Sequence, residues 1–333
     1  MAASYEELRA IVASKGLLER RYSYYALYGT LVVIATALGL YFITLTDNLA
    51  LTMLNGVFLG MVLVQAGMLG HDFSHQQVFS SYRWNRFFGS IMWSLFGGVS
   101  EDKWYEKHNE HHTHVNHIDH DPDLDIPFIF SPKQIEKRSS LLNSLLLPHQ
   151  HVIFFLALPF VYFSMVSYAW RHLLTRLTWK SMIETVFVFI HFALLFGITF
   201  LYLPLTTAIP FLAAVILVGG LYMSLVFAPN HKGEEVVEGD TAASWTQQIT
   251  LTRNIYPSTF VFHMTGGLNF QIEHHLFSDM PRINYPKAHV LVKAYCLQHG
   301  IPYHETSWWG SMREIYDALK QTSEAYRMQK AAL

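Results

Sequence analysis

The stretch Trp104 to Asp125, WYEKHNEHHTHVNHIDHDPDLD, concentrates side chains able to hold a transition metal. His108, His111 and His112 stand in HxxHH spacing, His114, His117 and His120 follow, and the carboxylates Asp121, Asp123 and Asp125 close the run. On a helix, at about 100° per residue, positions i, i+3 and i+4 share one face, so three imidazoles can converge on one small site. Two further clusters share this spacing: His71 and His75 in HDFSH, and Gln271, His274 and His275 in QIEHH. A lone histidine is more often a satisfied polar residue than a ligand; three clusters at ligand spacing point to metal. Together they exceed the three or four ligands that one zinc takes, so two metals are the better count. Imidazole suits zinc, copper, nickel and iron alike, which leaves the metal open on ligand type alone.

The clusters are spread over about two hundred residues, and the elements between them must bring them together. The chain is 51% hydrophobic and only 14% charged, and several near-uncharged runs have membrane-spanning length. An integral, multi-pass membrane protein follows. Five segments qualify, Ala26–Thr46, Leu49–Leu69, Val152–Ala169, Glu184–Leu203 and Thr207–Ala228, whereas Phe87–Val99 is too short. The net charge is −2 and no basic block stands out, which sets nucleic acid aside as a partner. One cysteine, Cys296, rules out an internal disulfide framework. The first 25 residues lack the apolar core and cleavage site of a signal peptide, so the first span is expected to act as its own insertion signal.

Sidedness follows from Lys and Arg, which are missing from both tight hairpin tips. They crowd instead into the N-terminal segment (Arg9, Lys15, Arg20, Arg21), the 70–150 region (Arg83, Arg86, Lys103, Lys107, Lys133, Lys137, Arg138) and the 170–183 connection (Arg171, Arg176, Lys180). If Val152–Ala169 crossed, the third cluster would lie across the membrane from the first two. Pro159 in its middle suits an interrupted, interfacial helix. The expected fold is all-α, with four transmembrane helices as two hairpins, interfacial helices and a cytoplasmic helical cap around a two-metal site. One unit, 1–333, divides into an N-terminal segment (1–25), a first hairpin (26–69), an interfacial region with the first two clusters (70–183), a second hairpin (184–228) and a cap with the third cluster (229–333). Both termini and the site are expected on the cytoplasmic face. In the cap, helices are expected over Pro286–Gln298, stopped by Gly300, and over Trp308–Arg327.

A metal site beside a lipid-soluble substrate suits dioxygen activation by two irons, because removing hydrogen from an unactivated methylene needs a strong oxidant that acid–base side chains cannot supply. HDFSH, WYEKHNEHH followed by DPD, and GGLNFQIEHHLFSDMPR resemble the three histidine boxes of membrane fatty-acyl desaturases, in particular the front-end group whose third box begins with Gln. The resemblance runs from about Gly70 to the C-terminus. It implies a di-iron, O2-dependent enzyme that places a cis double bond in an acyl chain carried by a lipid or by CoA. The ligands it implies are His71, His75, His108, His111, His112, His274 and His275, with Gln271 where most desaturases have His. His231, in APNHK just past the last span, resembles a histidine that desaturases supply outside the boxes and is expected as a further ligand. Many eukaryotic front-end enzymes carry a fused cytochrome b5 domain with an HPGG motif, which this sequence does not contain. Electrons are therefore expected from a separate ferredoxin or cytochrome b5 type protein.

Asp72, Asn109, Glu110 and Glu273 adjoin box histidines and either orient imidazoles or are ordinary solvated groups. Asp121, Asp123 and Asp125 read better as a turn than as ligands. His114, His117 and His120 read as loop residues, His191 as a neutral hydrogen-bonding group inside the bundle, and His263 matches no ligand position. Two alternatives stand beside desaturation: a membrane hydroxylase or ketolase on the same scaffold, and a histidine-lined metal transporter. A transporter should place ionisable ligands near the bilayer midplane, whereas these clusters lie beyond the ends of spans.

Overall fold

The computed structural model describes residues 3–137 and 145–331; Arg138, used above for sidedness, lies outside them, as does the side chain of Lys137. After a short helix α1 (Tyr5–Ser14), the first hairpin is built from α2 (Tyr22–Phe42) and α3 (Leu49–Ser74). Asn48 starts α3 as an N-cap, its side chain accepting from the Leu51 amide at 3.2 Å. The short apolar run forms the end of α4 (Tyr82–Ser90) and a π-helical turn, Ile91–Phe96. Ser100 then caps α5 (Glu101–Thr113) by accepting from the Lys103 amide. A short α6 (Lys133–Lys137) precedes α7 (Gln150–Ala157) and α8 (Val161–Thr175), two halves of one apolar segment interrupted at Pro159. The second hairpin is α9 (Trp179–Tyr202) and α10 (Leu205–His231). Beyond it lie α11 (Trp245–Thr250), α12 (Thr259–Met264), α13 (Gln271–Leu276), α14 (Tyr285–His299) and α15 (Trp308–Ala331). Gly300 ends α14 at φ +67°, a left-handed cap that favours glycine. Among the described residues the only strands are the parallel pair β1 (Asn254–Ile255) and β2 (Glu305–Thr306).

Among the described residues, five helical segments are long and apolar enough to cross a membrane: Tyr22–Phe42, Leu49–Ser74, Leu147–Thr175, Trp179–Tyr202 and Leu205–His231. Their outer faces expose Leu27, Leu31, Leu38, Phe189 and Leu201, the pattern of surfaces that meet lipid. Two of the expected spans end later than hydropathy indicated, since α3 runs on through His71 and α10 through His231. Polar residues continue these helices because their backbone bonds are already satisfied within the helix and their side chains point into protein.

The close approach of α3 and α10 sets the register of the molecule. Gly56 and Gly60, four residues apart, share a face of α3, and a Cβ on them would come within 2.9 Å of the Phe211 carbonyl and 2.7 Å of the Val215 carbonyl. Glycine at both positions lets the backbones touch, so the last turns of α3 and α10 finish side by side. The broken segment packs against the same pair: Pro159 lies against Gly220, and Ser224 donates to the Leu158 carbonyl at 2.9 Å. Its start meets α15, where Gln150 donates to the Leu319 carbonyl at 3.1 Å. Its end meets α5 through His172 and Asp102, 3.2 Å apart, and through the Arg176–Glu106 ion pair. α1 folds back onto the cap, Leu8 and Val12 joining Phe270, Ile272, Tyr285 and Val292 in one core.

Candidate metal centre

Four elements deliver the candidate ligands to one place. α3 presents His71 on its last turn and His75 as its C-cap; α5 presents His108, His111 and His112; α10 ends on His231; and α13 carries Gln271, His274 and His275. The ring nitrogens sort into two groups. One nitrogen each from His71, His75, His108 and His274 lie within 4.8 Å of one another, and so do one each from His111, His231 and His275. His112 sits between the groups, its Nε2 3.1 Å from His108 Nε2 and its ring stacked on His275 at 4.1 Å. Gln271 belongs to the second group, with its amide nitrogen 2.7 Å from His231 Nε2 and its oxygen accepting from Asn230 at 3.1 Å.

The Nε2 atoms of His71, His75, His274 and His275 are buried and have no hydrogen-bond partner. A buried polar atom left unpaired costs about 1–3 kcal/mol, so four of them converging is expensive unless something takes their lone pairs. Neutral imidazoles aimed inward are what a transition metal binds, and the donor set fits two ions, one per group. The opposite ring nitrogens explain the aim. Asp121 accepts from His111 Nδ1 with both oxygens at 3.0 Å, Tyr285 Oη stands 3.0 Å from His274 Nδ1, and Gln248 Oε1 accepts from His275 Nδ1 at 2.8 Å. Each contact fixes a ring and, for Asp121 and Gln248, the tautomer that leaves Nε2 free. Asp72 lies 3.4 Å from His71 Nδ1 and is itself held by the buried Arg282 at 2.8 Å.

Electrostatics keep most of these rings neutral. Burial, and then the mutual repulsion of neighbouring imidazoles, pushes the pKa values of His75, His108, His112, His274 and His275 well below the ordinary histidine range. For His111 burial also opposes the charged form, but the carboxylates of Asp121 and Asp123 outweigh it and raise the pKa.

The family model for fatty acid desaturases matches residues 47–307. The chain belongs to the fatty acid desaturase family. It is 30% identical to an acyl-lipid (9-3)-desaturase of Physcomitrium patens over 98% of this chain and 64% of that protein. It is 29% identical to a Delta(6)-fatty-acid desaturase of Caenorhabditis elegans (97% and 76%) and 28% identical to fatty acid desaturase 3 of Bos taurus (82% and 62%). The chain thus spans just under two thirds of the moss and bovine proteins.

Of the four polar residues beside the boxes of this desaturase-family chain, only Asp72 faces a box imidazole. Glu110 pairs with His114 at 2.8 Å, Glu273 accepts from Asn254 and Tyr303, and the Asn109 carbonyl accepts from Thr113. His117 turns to the Gly239 carbonyl, His120 to Asp240, and His263 is exposed. Asp121 is a turn residue as read, accepting from the Asn116 and Asp123 amides at 2.8 Å, and orients His111 as well. Tyr285 and Gln248 carry no sequence signal, because neither shares a helix with the box histidine it meets. The same holds for Arg253, fully buried, which donates to the Pro229 carbonyl at 2.6 Å and pairs with Glu234 and Glu314 at 2.8 and 3.0 Å. It fills the space among Glu234, His304 and Glu314 and anchors the end of α10 that bears His231.

Trp93, Trp104 and His108 stack in series at 4.7 and 4.3 Å. Beneath them runs a slender apolar cavity of about 40 Å³, walled by Val64, Gly67, Trp93 and Met223 at one end and Gly60, Leu195 and Val215 at the other. By helix rise it extends from about 6 to about 16 Å below His71.

Proposed function

We propose that this chain is an O2-dependent di-iron desaturase that introduces a cis double bond into an acyl chain, with two electrons from a separate redox protein of ferredoxin or cytochrome b5 type. The observation that carries this reading is the pair of buried imidazole groups, with the Nε2 atoms of His71, His75, His274 and His275 unpaired, at the end of the helices that wall an apolar cavity. In this reading His71, His75, His108 and His274 bind one iron, His111, His231, His275 and Gln271 the other, and His112 lies within reach of both. Bound iron would supply the dioxygen chemistry that no acid–base side chain here provides. The protein's own part is positional. The Trp93–Trp104 stack lies between the histidines and the cavity, the cavity marks the path the tail would take, and its mostly apolar lining keeps water from the reacting methylenes. The moss relative's name supports a lipid-borne acyl chain, with an acyl-CoA as the other carrier.

The proposed topology has four crossings, with both termini and the metal centre on the cytoplasmic side. It is supported by the basic residues around the histidines, by α1 packing on the third-box core, and by both ends of the Leu147–Thr175 segment lying against α15 and α5. On this view that segment dips in and returns at Pro159. Expression in a host without polyunsaturated lipids, followed by fatty-acid profiling with double-bond location, tests the function. New double bonds support it; an unchanged profile with iron bound and a competent reductant present contradicts it, and a hydroxylated product transfers the chain to the hydroxylase reading.

A further inference from the structure

His191 lies midway along α9 and is buried, with each ring nitrogen beside a polar group. Its Nδ1 is 3.2 Å from the Leu95 carbonyl, and its Nε2 is 3.4 Å from the Tyr162 hydroxyl, which donates to the Gly97 carbonyl at 3.1 Å. Gly98, at φ +67°, backs this pair so closely that a Cβ there would come within 2.6 Å of His191 Cδ2 and 2.8 Å of Tyr162 Oη. The loop has no room for a side chain at 98 while the pair stays together.

Two cavities meet at this point. The slender one beneath the histidines reaches Tyr162 and His191. On the other side lies a wider cleft of about 220 Å³ between α2, α9 and the π-helical turn, lined by Val33, Thr36, Leu40, Phe96 and Leu194. The two share Leu63, His191 and Leu195 as a common wall. Val33 and Leu194 are exposed on the apolar outer face, so the cleft opens toward lipid. The wall is therefore the boundary between the slender cavity and the lipid-facing cleft; His191 is the polar member of the three shared residues, and Tyr162, which lines the slender cavity, contacts it from that side.

We propose that Tyr162 and His191 form a latch that closes the far end of the acyl-tail pocket against the lipid-facing cleft and so sets the longest tail the enzyme accepts. This rests on the desaturase reading. A hydrocarbon tail gains no hydrogen bond from the pair, and passing it means parting two packed side chains and disturbing their bonds to the Leu95 and Gly97 carbonyls. Removing the imidazole joins the two cavities and gives a longer tail somewhere to go. Had the pair served only to satisfy the carbonyls at the end of the π-helical turn, its loss would affect all chain lengths alike.

The test is a host membrane expressing the chain, supplied with fatty acids rising in length two carbons at a time, with double-bond products quantified for each. The readout is the ratio of longest-chain to shortest-chain product within one variant, which is insensitive to expression level. His191→Ala is expected to raise that ratio about tenfold, the scale on which an apolar pocket discriminates single methylenes. Tyr162→Phe, which keeps the ring and loses the hydroxyl, should raise it less. Phe189→Ala, on the lipid-exposed face of the same helix, should leave it unchanged. His191→Ser carries the same test if the alanine variant fails to accumulate. A wild-type chain that forms products while the His191 variants keep its ratio overturns the latch alone; a wild-type chain that forms none, with iron and reductant present, overturns the parent reading and the latch with it.

Discussion

Replacing Asp121 with Asn probes how the second imidazole group is held. The two carboxylate oxygens serve three donors, the His111 ring at 3.0 Å and the Asn116 and Asp123 amides at 2.8 Å. An amide offers one oxygen and one donor nitrogen, so it cannot satisfy all three. If its nitrogen faces His111, the ring must move its proton to Nε2, the atom that lies 3.3 Å from His231 Nε2 and points into the site. Loss of such an orienting partner typically lowers metal affinity 10–100-fold, or about 1.4–2.8 kcal/mol. Because His111 belongs to only one group, the expected outcome is selective. Iron per purified chain, measured across a chelator series with a thermal melt alongside, should fall from two toward one while the protein stays folded. A folded Asp121→Asn variant that keeps two irons at wild-type affinity refutes the orienting role. Equal loss of both irons refutes the division into two groups.

His231→Ala should lose iron and activity, whereas His263→Ala, an exposed site, should show at most a mild defect; normal iron content and turnover in the first removes His231 from the ligand set. Gln271→His is expected to retain some activity and Gln271→Leu to lose most, and full activity in the leucine variant would make Gln271 a packing residue. Gly60→Leu should separate α3 from α10, because its Cβ alone would meet the Val215 carbonyl at 2.7 Å; a drop in Tm with reduced iron content checks this, and an unaltered protein contradicts the close packing. For the metal-free protein, burial lowers the folded-state pKa of five box histidines below the ordinary value near 6.5. The unfolded chain therefore takes up protons first as the pH drops. Their contribution to stability is present above about pH 6.5 and is lost below it, with His111 alone among the box histidines opposing, so Tm should fall on acidification; a Tm that stays level contradicts neutral, buried rings.

Much of the centre was legible because helical spacing is a local property. HxxHH on α5 and QIEHH on α13 are helices in the structure, and the first box sits at the end of α3. His231 was readable only from its place just past a span, and its proximity to His111 depends on Gly56 and Gly60 aligning two helices some 150 residues apart in sequence. Hydropathy located the spans but ended α3 and α10 early, since it cannot register polar residues that remain helical by facing protein. The orienting groups were least visible. Asp121 lies within a turn whose composition explains it fully, and Tyr285 and Gln248 reach the site from elements with no histidine of their own beside it.

The most direct measurement is a single-turnover reaction of iron-loaded protein in lipid vesicles, with a chemical reductant, 18O2 and an acyl chain deuterated along its length. The expected product has lost two deuterium atoms from adjacent carbons, contains no 18O and forms only when oxygen is present. A product that carries 18O, or a chain that leaves the reaction unaltered with both irons bound and reduced, contradicts the assignment.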